Sequence, residues 1–163
     1  MNTPLDRIDF EILRQLRDDA RLSNKELAAR VGLAPSTCLG RVRRLVDEGA
    51  LAGFHAELDP DAAQVGLQAL VLVQLRQHSR DQLDAFMEHV GRLAEVVQAF
   101  HISGKADFVL HVAVRDAHHL RDLALDQLTT REEVAHLETS LVFDRLNAGG
   151  LPVYGPRMGE SGS

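Results

Sequence analysis

The chain has 163 residues, 45% of them hydrophobic and 26% charged, with a formal net charge of −6. Such proportions are those of a soluble globular protein with room for one domain or two small ones, and no apolar run approaches the roughly 20 residues of a membrane span. The single cysteine, Cys38, excludes an internal disulfide framework, and the opening MNTPLDRIDF lacks the layout of a secretory signal; both fit a reducing cytosol.

Leu5 to Asp19 reads as a first helix. Ile8, Ile12, Leu13 and Leu16 make one apolar stripe, and Asp6 or Asp9 suits the positive end of the helix dipole. Ser23 to Gly49 reads as helix, turn and helix. Ser23 with Glu26 three residues on is a capping box, Leu27, Ala28 and Val31 share a side, and Gly32 stands where a left-handed residue ends a helix. Pro35 opens the second of these helices, where its missing N–H would have had no intrahelical partner. At about 100° per residue, Cys38, Val42, Leu45 and Val46 fall in an apolar arc. Ser36, Thr37, Gly40, Arg43 and Arg44 lie opposite, and Arg41 flanks the arc. Cys38 thus reads as a small buried hydrophobe.

Two helices joined by a short turn, the second polar and basic on its outer face, form the helix-turn-helix pattern. Between Arg21 and Val46 six cationic side chains (Arg21, Lys25, Arg30, Arg41, Arg43 and Arg44) oppose the single acid Glu26. Attraction to phosphates is set by such a patch within about a Debye length, ~8–10 Å, so the overall acidity is compatible with DNA binding. By helical geometry Ser36, Thr37, Gly40 and Arg43 are expected to face the major groove. Lys25, Arg41 and Arg44 are expected at phosphates, with Asn24 a capping or backbone contact. Leu51, Phe54 and Leu58 suggest a short strand pair, the wing of a winged helix, closed by an Asp59-Pro60 turn. The DNA-binding domain is accordingly expected over 1–58, with a linker over 59–66.

From Leu67 the periodicity alternates. Strands are expected at 67–75, 96–102, 108–114 and 137–143, and amphipathic helices at 81–93 and 118–128. The order β-α-β-β-α-β over 67–146 is the ferredoxin-like arrangement, so the whole chain is α+β. On this register Leu70, Leu72, Val97, Ala99, Val109, Ala113 and Val142 point away from the helices. That is too apolar a face for water, and a second copy packed sheet on sheet is expected there, giving a homodimer. Residues 147–163, rich in Gly, Pro and Ser without periodicity, are expected to be a flexible tail.

Several stretches together resemble one family. Leu5-Asp6-Arg7-Ile-Asp-Phe-Glu-Ile-Leu, Asp19-Ala-Arg-Leu-Ser-Asn-Lys-Glu-Leu-Ala, Gly32-Leu-Ala-Pro-Ser-Thr and Arg41-Val-Arg-Arg-Leu look like the DNA-binding half of the leucine-responsive regulatory protein/AsnC family of transcription regulators. The likeness continues through Gly49-Ala-Leu-Ala-Gly-Phe, the Leu58-Asp59-Pro60 turn, Gly104-Lys-Ala-Asp-Phe and Glu138-Thr-Ser-Leu-Val, nearly to the tail. It implies a winged-helix reader of double-stranded DNA joined to a sensing domain that dimerises and often assembles to octamers. It also implies a small-molecule effector, an amino acid or related metabolite, bound where sensing domains meet, and no cofactor. The implied effector contacts are Ser103, Gly104, Lys105, Asp107 and Phe108, with the hydroxyls of Thr139 and Ser140. Asp107 would pair with an ammonium group, or else simply form the turn, as Gly104 would with a positive φ. Where family members commonly carry Pro-Gly before the last strand, this chain has Arg131-Glu132-Glu133-Val134.

Two other functions compete. A regulator or adaptor of the same fold without a small-molecule effector is one. A metal-dependent enzyme is the other, with His101, His111, His118 and His119 as ligands. No His-x-x-x-His or paired-cysteine spacing, phosphate loop or nucleophile elbow supports catalysis, so neither a catalytic nor a metal site is expected.

Overall fold

Each helix of the first part of the chain carries its own start signal. The computed structural model describes residues 4–146 and 149–156, with α1 at Arg7–Asp18, α2 at Asn24–Arg30 and α3 at Pro35–Asp47. Asp6 and Asp9 cap α1 reciprocally, each carboxylate accepting the other's backbone N–H at 2.9 Å. Ser23 and Glu26 do the same for α2, at 3.3 and 2.9 Å. Gly32 ends the helix pair's first member at φ +68°, a conformation open to glycine at no steric cost. Ile12 and Leu16 from α1, Leu27, Ala28 and Val31 from the α2 segment, and Cys38 and Leu45 from α3 fill the core between the three helices. Val42 packs at its margin. Val46, placed in the apolar arc by periodicity, is instead 43% exposed. Burial pushes the Cys38 thiol above its ordinary range, which keeps it protonated and inert.

Residues 51–58 do not form the expected strand pair. Among the described residues this segment has no strand, and Phe54 and Leu58 are exposed. The segment after them folds into a tight turn in which the Asp59 carboxylate accepts the Ala62 N–H at 2.9 Å and Val65 N–H donates to Pro60 at 2.8 Å.

The chain divides into two compact units: residues up to Ala56 together with those from Leu146 onward, and Glu57–Arg145 between them. Over 149–156 the expectation of a free tail is therefore corrected; residues 147–148 and 157–163 lie outside those described. Arg14, on α1, donates to the backbone carbonyls of Gly155 and Pro156. Gly155 lies against the Phe10 ring, where an added Cβ would come within 2.2 Å of Cδ1 and force the ring or the segment to shift. Such contacts, made through glycines and main-chain oxygens, leave no periodic trace in a sequence.

The second unit is a four-stranded antiparallel sheet: β1 Leu67–Leu75, β2 Val96–His101, β3 Phe108–Val114 and β4 Val134–Leu141, in the order β2-β3-β1-β4. Two helical segments alternate with the strands, α4 at Arg80–Val90 and α5 at Ala117–Asp122, the latter continuing as a π-helix through Leu123–Thr129. Val71, Val73 and Leu75 on β1, and Phe108, Leu110 and Val112 on β3, are buried with Phe86 and Val90 of α4 and with Leu123 and Leu128. β2 departs from the predicted alternation. A bulge between Val96 and Gln98 inserts a residue, so Ala99 turns to the core and Phe100 to the other face. The open face then presents Leu70, Val97 and Phe100, at 37%, 50% and 48% exposure, around Leu72, Val109 and Ala113.

Candidate nucleic-acid interface and effector turn

On α3, Ser36, Gly40 and Arg43 follow one another along the outer face with Thr37 beside them, and all four are exposed. Around Gly40 there is open space: an added Cβ would meet nothing within 4 Å. The bare backbone at this point gives any approaching surface its nearest access to the helix. Arg21, Lys25 and Arg43 make no ion pair with any of the described residues, and Arg30 bonds Gln15 at 3.0 Å.

Three of the expected DNA contacts carry bonds within the protein. Arg41 Nη1 donates to Asp6 at 2.6 Å and to Asp9 at 2.9 Å, and Arg44 Nη2 donates to Asp9 at 2.5 Å. Asp6 and Asp9 hold the Arg41 guanidinium above its already high ordinary range, despite burial. Burial alone would push Asp6 up, but the Asp9 amide and Arg41 outweigh it and hold the carboxyl below its usual range. Asn24 donates its amide to the Pro35 carbonyl at 2.8 Å, tying the start of α2 to that of α3. The signal for the arginine pairing was in the sequence: Asp9 stands three and seven residues before Ile12 and Leu16, within the stripe that must be buried, so it needs a cation.

In the second unit Ser103, Gly104 and Lys105 form the exposed β2–β3 turn, with Gly104 at φ +131°. Asp107 is 7% exposed and closes the end of β1: its carboxylate accepts the Leu75 N–H at 2.7 Å and meets His78 Nε2 at 2.8 Å. Its backbone N–H donates to Val73 at 2.9 Å. Phe108, expected among the effector contacts, belongs to the core instead. It has no exposed surface and lies against the Phe86 and His101 rings at centroid distances of 4.8 and 5.1 Å. Thr139 and Ser140 pair with Val71 and Leu70, which face opposite ways, so the two hydroxyls point to opposite faces of the sheet. They also lie about four to five residues down β1 from Leu75, roughly 13–17 Å at ~3.3 Å per residue. A single chain therefore brings Gly104 and Asp107 together but not Thr139 and Ser140.

Arg131-Glu132-Glu133, in place of Pro-Gly, is tied to β1. Arg76 donates its Nε to the Glu132 carbonyl at 3.0 Å and its N–H to Glu133 at 2.8 Å, and Arg131 pairs with Glu133. This segment lines an open cleft of about 420 Å³ with Asp81 and Gln82. The histidines weighed as metal ligands do not converge: His101 stacks on Phe108, His111 bonds Gln68 on the other face, and His119 bonds Glu95. Among the described residues no three His, Cys, Asp or Glu side chains are grouped to hold a metal.

A helix-turn-helix with an exposed polar outer helix, followed by a ferredoxin-like sheet, is the architecture of DNA-binding regulators with an attached sensing domain. Comparison with known proteins gives the same result. The winged helix-turn-helix DNA-binding family model matches residues 5–51, and the Lrp/AsnC ligand binding domain matches residues 68–151. The HTH-type transcriptional regulator AldR of Mycolicibacterium smegmatis is 44% identical over 149 residues, covering 91% of this chain and 86% of that protein. The leucine-responsive regulatory protein of Escherichia coli is 36% identical, covering 87% of each. Among solved structures, that of MtbAldR superposes with a TM-score of 0.79 at 38% identity, covering 91% of this chain and all of that one. A Neisseria meningitidis transcriptional regulator in complex with L-Met gives 0.81 at 32% identity, covering 93% and 98%.

The chain belongs to the Lrp/AsnC family of transcription regulators. It is a DNA-binding regulator with a ligand-binding domain and not an enzyme.

Proposed function

We propose that this chain reads duplex DNA as a homodimer, with α3 in the major groove, and that a free amino acid bound beside the Gly104–Asp107 turn changes its grip. The observation that carries the reading is the outer face of α3, where Ser36, Gly40 and Arg43 stand exposed around open backbone. Arg43 suits a base edge, and Lys25 and Arg30 suit phosphates. A gel-shift with the DNA upstream of its own gene tests it: a discrete complex lost to specific competitor is expected, and no complex would end the proposal.

For the effector, the L-Met complex of the Neisseria regulator supports an amino acid as the chemical class. The Gly104 turn offers backbone N–H groups to a carboxylate, and Asp107 offers a carboxylate to an ammonium where His78 now lies. Completing the site falls to a neighbouring copy, because Thr139 and Ser140 of the same chain are out of reach. A thermal-shift screen of the amino acids should show one or a few that stabilise the protein; at 100 Kd the gain is about 2.7 kcal/mol. A flat response across the whole set would favour the regulator or adaptor without an effector.

The dimer rests on the open sheet face, too apolar to remain in water. His111 stands in that face, 7% exposed and bonded to Gln68 at 2.9 Å. Burial, and the nearby Arg145 charge, push its imidazole below the ordinary histidine range. A histidine so depressed binds fewer protons folded than unfolded. Its contribution is present above its unfolded pKa, about 6.5, and fades as pH falls below it. A covering sheet would deepen the burial and depress the imidazole further, so sedimentation should show a dimer at pH 8 that loosens as pH falls below the ordinary histidine range. His111→Gln should remove that dependence. A monomer at pH 8 would overturn the sheet-on-sheet assembly. The lone protonated thiol of Cys38 suits a reducing cytosol.

A further inference from the structure

Asp9 is a carboxylate with no exposed surface, carried on the first turn of α1 and surrounded by donors. Its Oδ1 accepts from Arg41, and its Oδ2 accepts from Arg44 and from the Asp6 N–H. Arg41 also holds Asp6, so two acids and two arginines form one closed network between α1 and α3. Both arginines lie on α3 at i and i+3, next to the outer face that carries Ser36, Gly40 and Arg43. Their side chains are 25% and 31% exposed, near enough to the surface to reach a phosphate if released.

Release is disfavoured. Removing either cation leaves a buried carboxylate undercompensated, which costs far more than an exposed phosphate contact returns. An arginine fork bound to a carboxylate is also electrically neutralised, so it displaces few counterions from a duplex. Sequence-independent affinity for DNA depends on how many such cations the protein presents. Of the six cationic side chains between Arg21 and Val46, Asp9 and Asp6 cancel two.

We propose that Asp9 is a specificity-determining residue: by withholding Arg41 and Arg44 from the phosphate backbone it suppresses non-specific binding, leaving discrimination to the exposed face of α3. The proposal rests on α3 being the DNA-facing helix, and its failure is separable from failure of that reading, which would appear as no binding by the unaltered protein. It gives Asp9 a second task beyond fastening α1 to α3.

The test is fluorescence anisotropy on the full chain, with its upstream duplex and a scrambled duplex of equal length, over a range of salt concentrations. Asp9→Asn keeps the size and an acceptor for the Asp6 N–H but removes the charge. On the scrambled duplex the slope of log K against log salt should steepen by about 0.9 per chain, because Arg44 loses its only acid while Asp6 still holds Arg41. The preference for the upstream duplex should fall correspondingly. Arg44→Gln in the unaltered protein should leave the scrambled-duplex slope unchanged, and in the Asp9→Asn background it should reverse the steepening. A folded Asp9→Asn protein with an unchanged or shallower slope overturns the proposal. If Asp9→Asn does not fold, Arg41→Gln and Arg44→Gln decide alone: a loss of about 0.9 from the slope in either means that arginine already meets phosphate, and the proposal fails.

Discussion

Arg43→Ala is expected to weaken binding to the upstream duplex by about 1–3 kcal/mol per protomer, and by about 2–6 kcal/mol where a two-fold dimer meets two half-sites. Arg43 is exposed on α3, unlike Arg41 and Arg44, and no acid in the described residues pairs with it. A free guanidinium fork beside Gly40 is the arrangement that reads a guanine edge bidentately. Removing it should also relax discrimination at one position of each half-site. A loss confined to affinity, equal on scrambled DNA, would instead assign Arg43 to phosphate. Thermal stability should be unchanged within about 0.5 kcal/mol, because the side chain contributes nothing to the core between the helices.

The second large effect is expected from Phe108→Ala, at about 3–5 kcal/mol of lost stability. Phe108 has no exposed surface and lies against the Phe86 ring, so truncation leaves a cavity at the centre of the second unit. That loss is a large part of the whole stability of a domain of this size, about 5–15 kcal/mol. Urea unfolding checks it. Phe108→Leu separates packing from ligand contact: it should recover much of the stability and leave the response to the amino acid in place. A leucine protein as stable as the parent but deaf to the effector would return Phe108 to the binding site.

These two residues show what the sequence could and could not disclose. The capping boxes at Asp6–Asp9 and Ser23–Glu26, the left-handed Gly32 and the leading Pro35 are local, fixed within four residues of themselves, and a single strand of text contains all of each. The strand and helix order of the second half was equally legible from its periods of two and 3.6. The one-residue bulge in β2 was not. It reverses every later side chain of that strand and depends on pairing with β3, which the strand's own residues do not encode. The partnership of Asp9 with Arg41 and Arg44 spans 32 and 35 residues. Helical angle alone placed the arginines outward; only the apolar setting of Asp9 hinted that something must draw them back. Phe108 falls within the Gly104–Phe108 motif, yet alternation along β3 sends it inward with Leu110 and Val112.

The course of residues 149–156 over α1 makes the sensing half an insert rather than an appendage: the chain leaves the reader after Ala56 and returns to it at Leu146. A fragment ending at residue 56 would strip the cover from Phe10 and leave the Arg14 guanidinium without its two carbonyl partners. The natural module for dissecting DNA recognition is therefore discontinuous, and a faithful miniature would splice the returning segment back to the three helices through a short bridge.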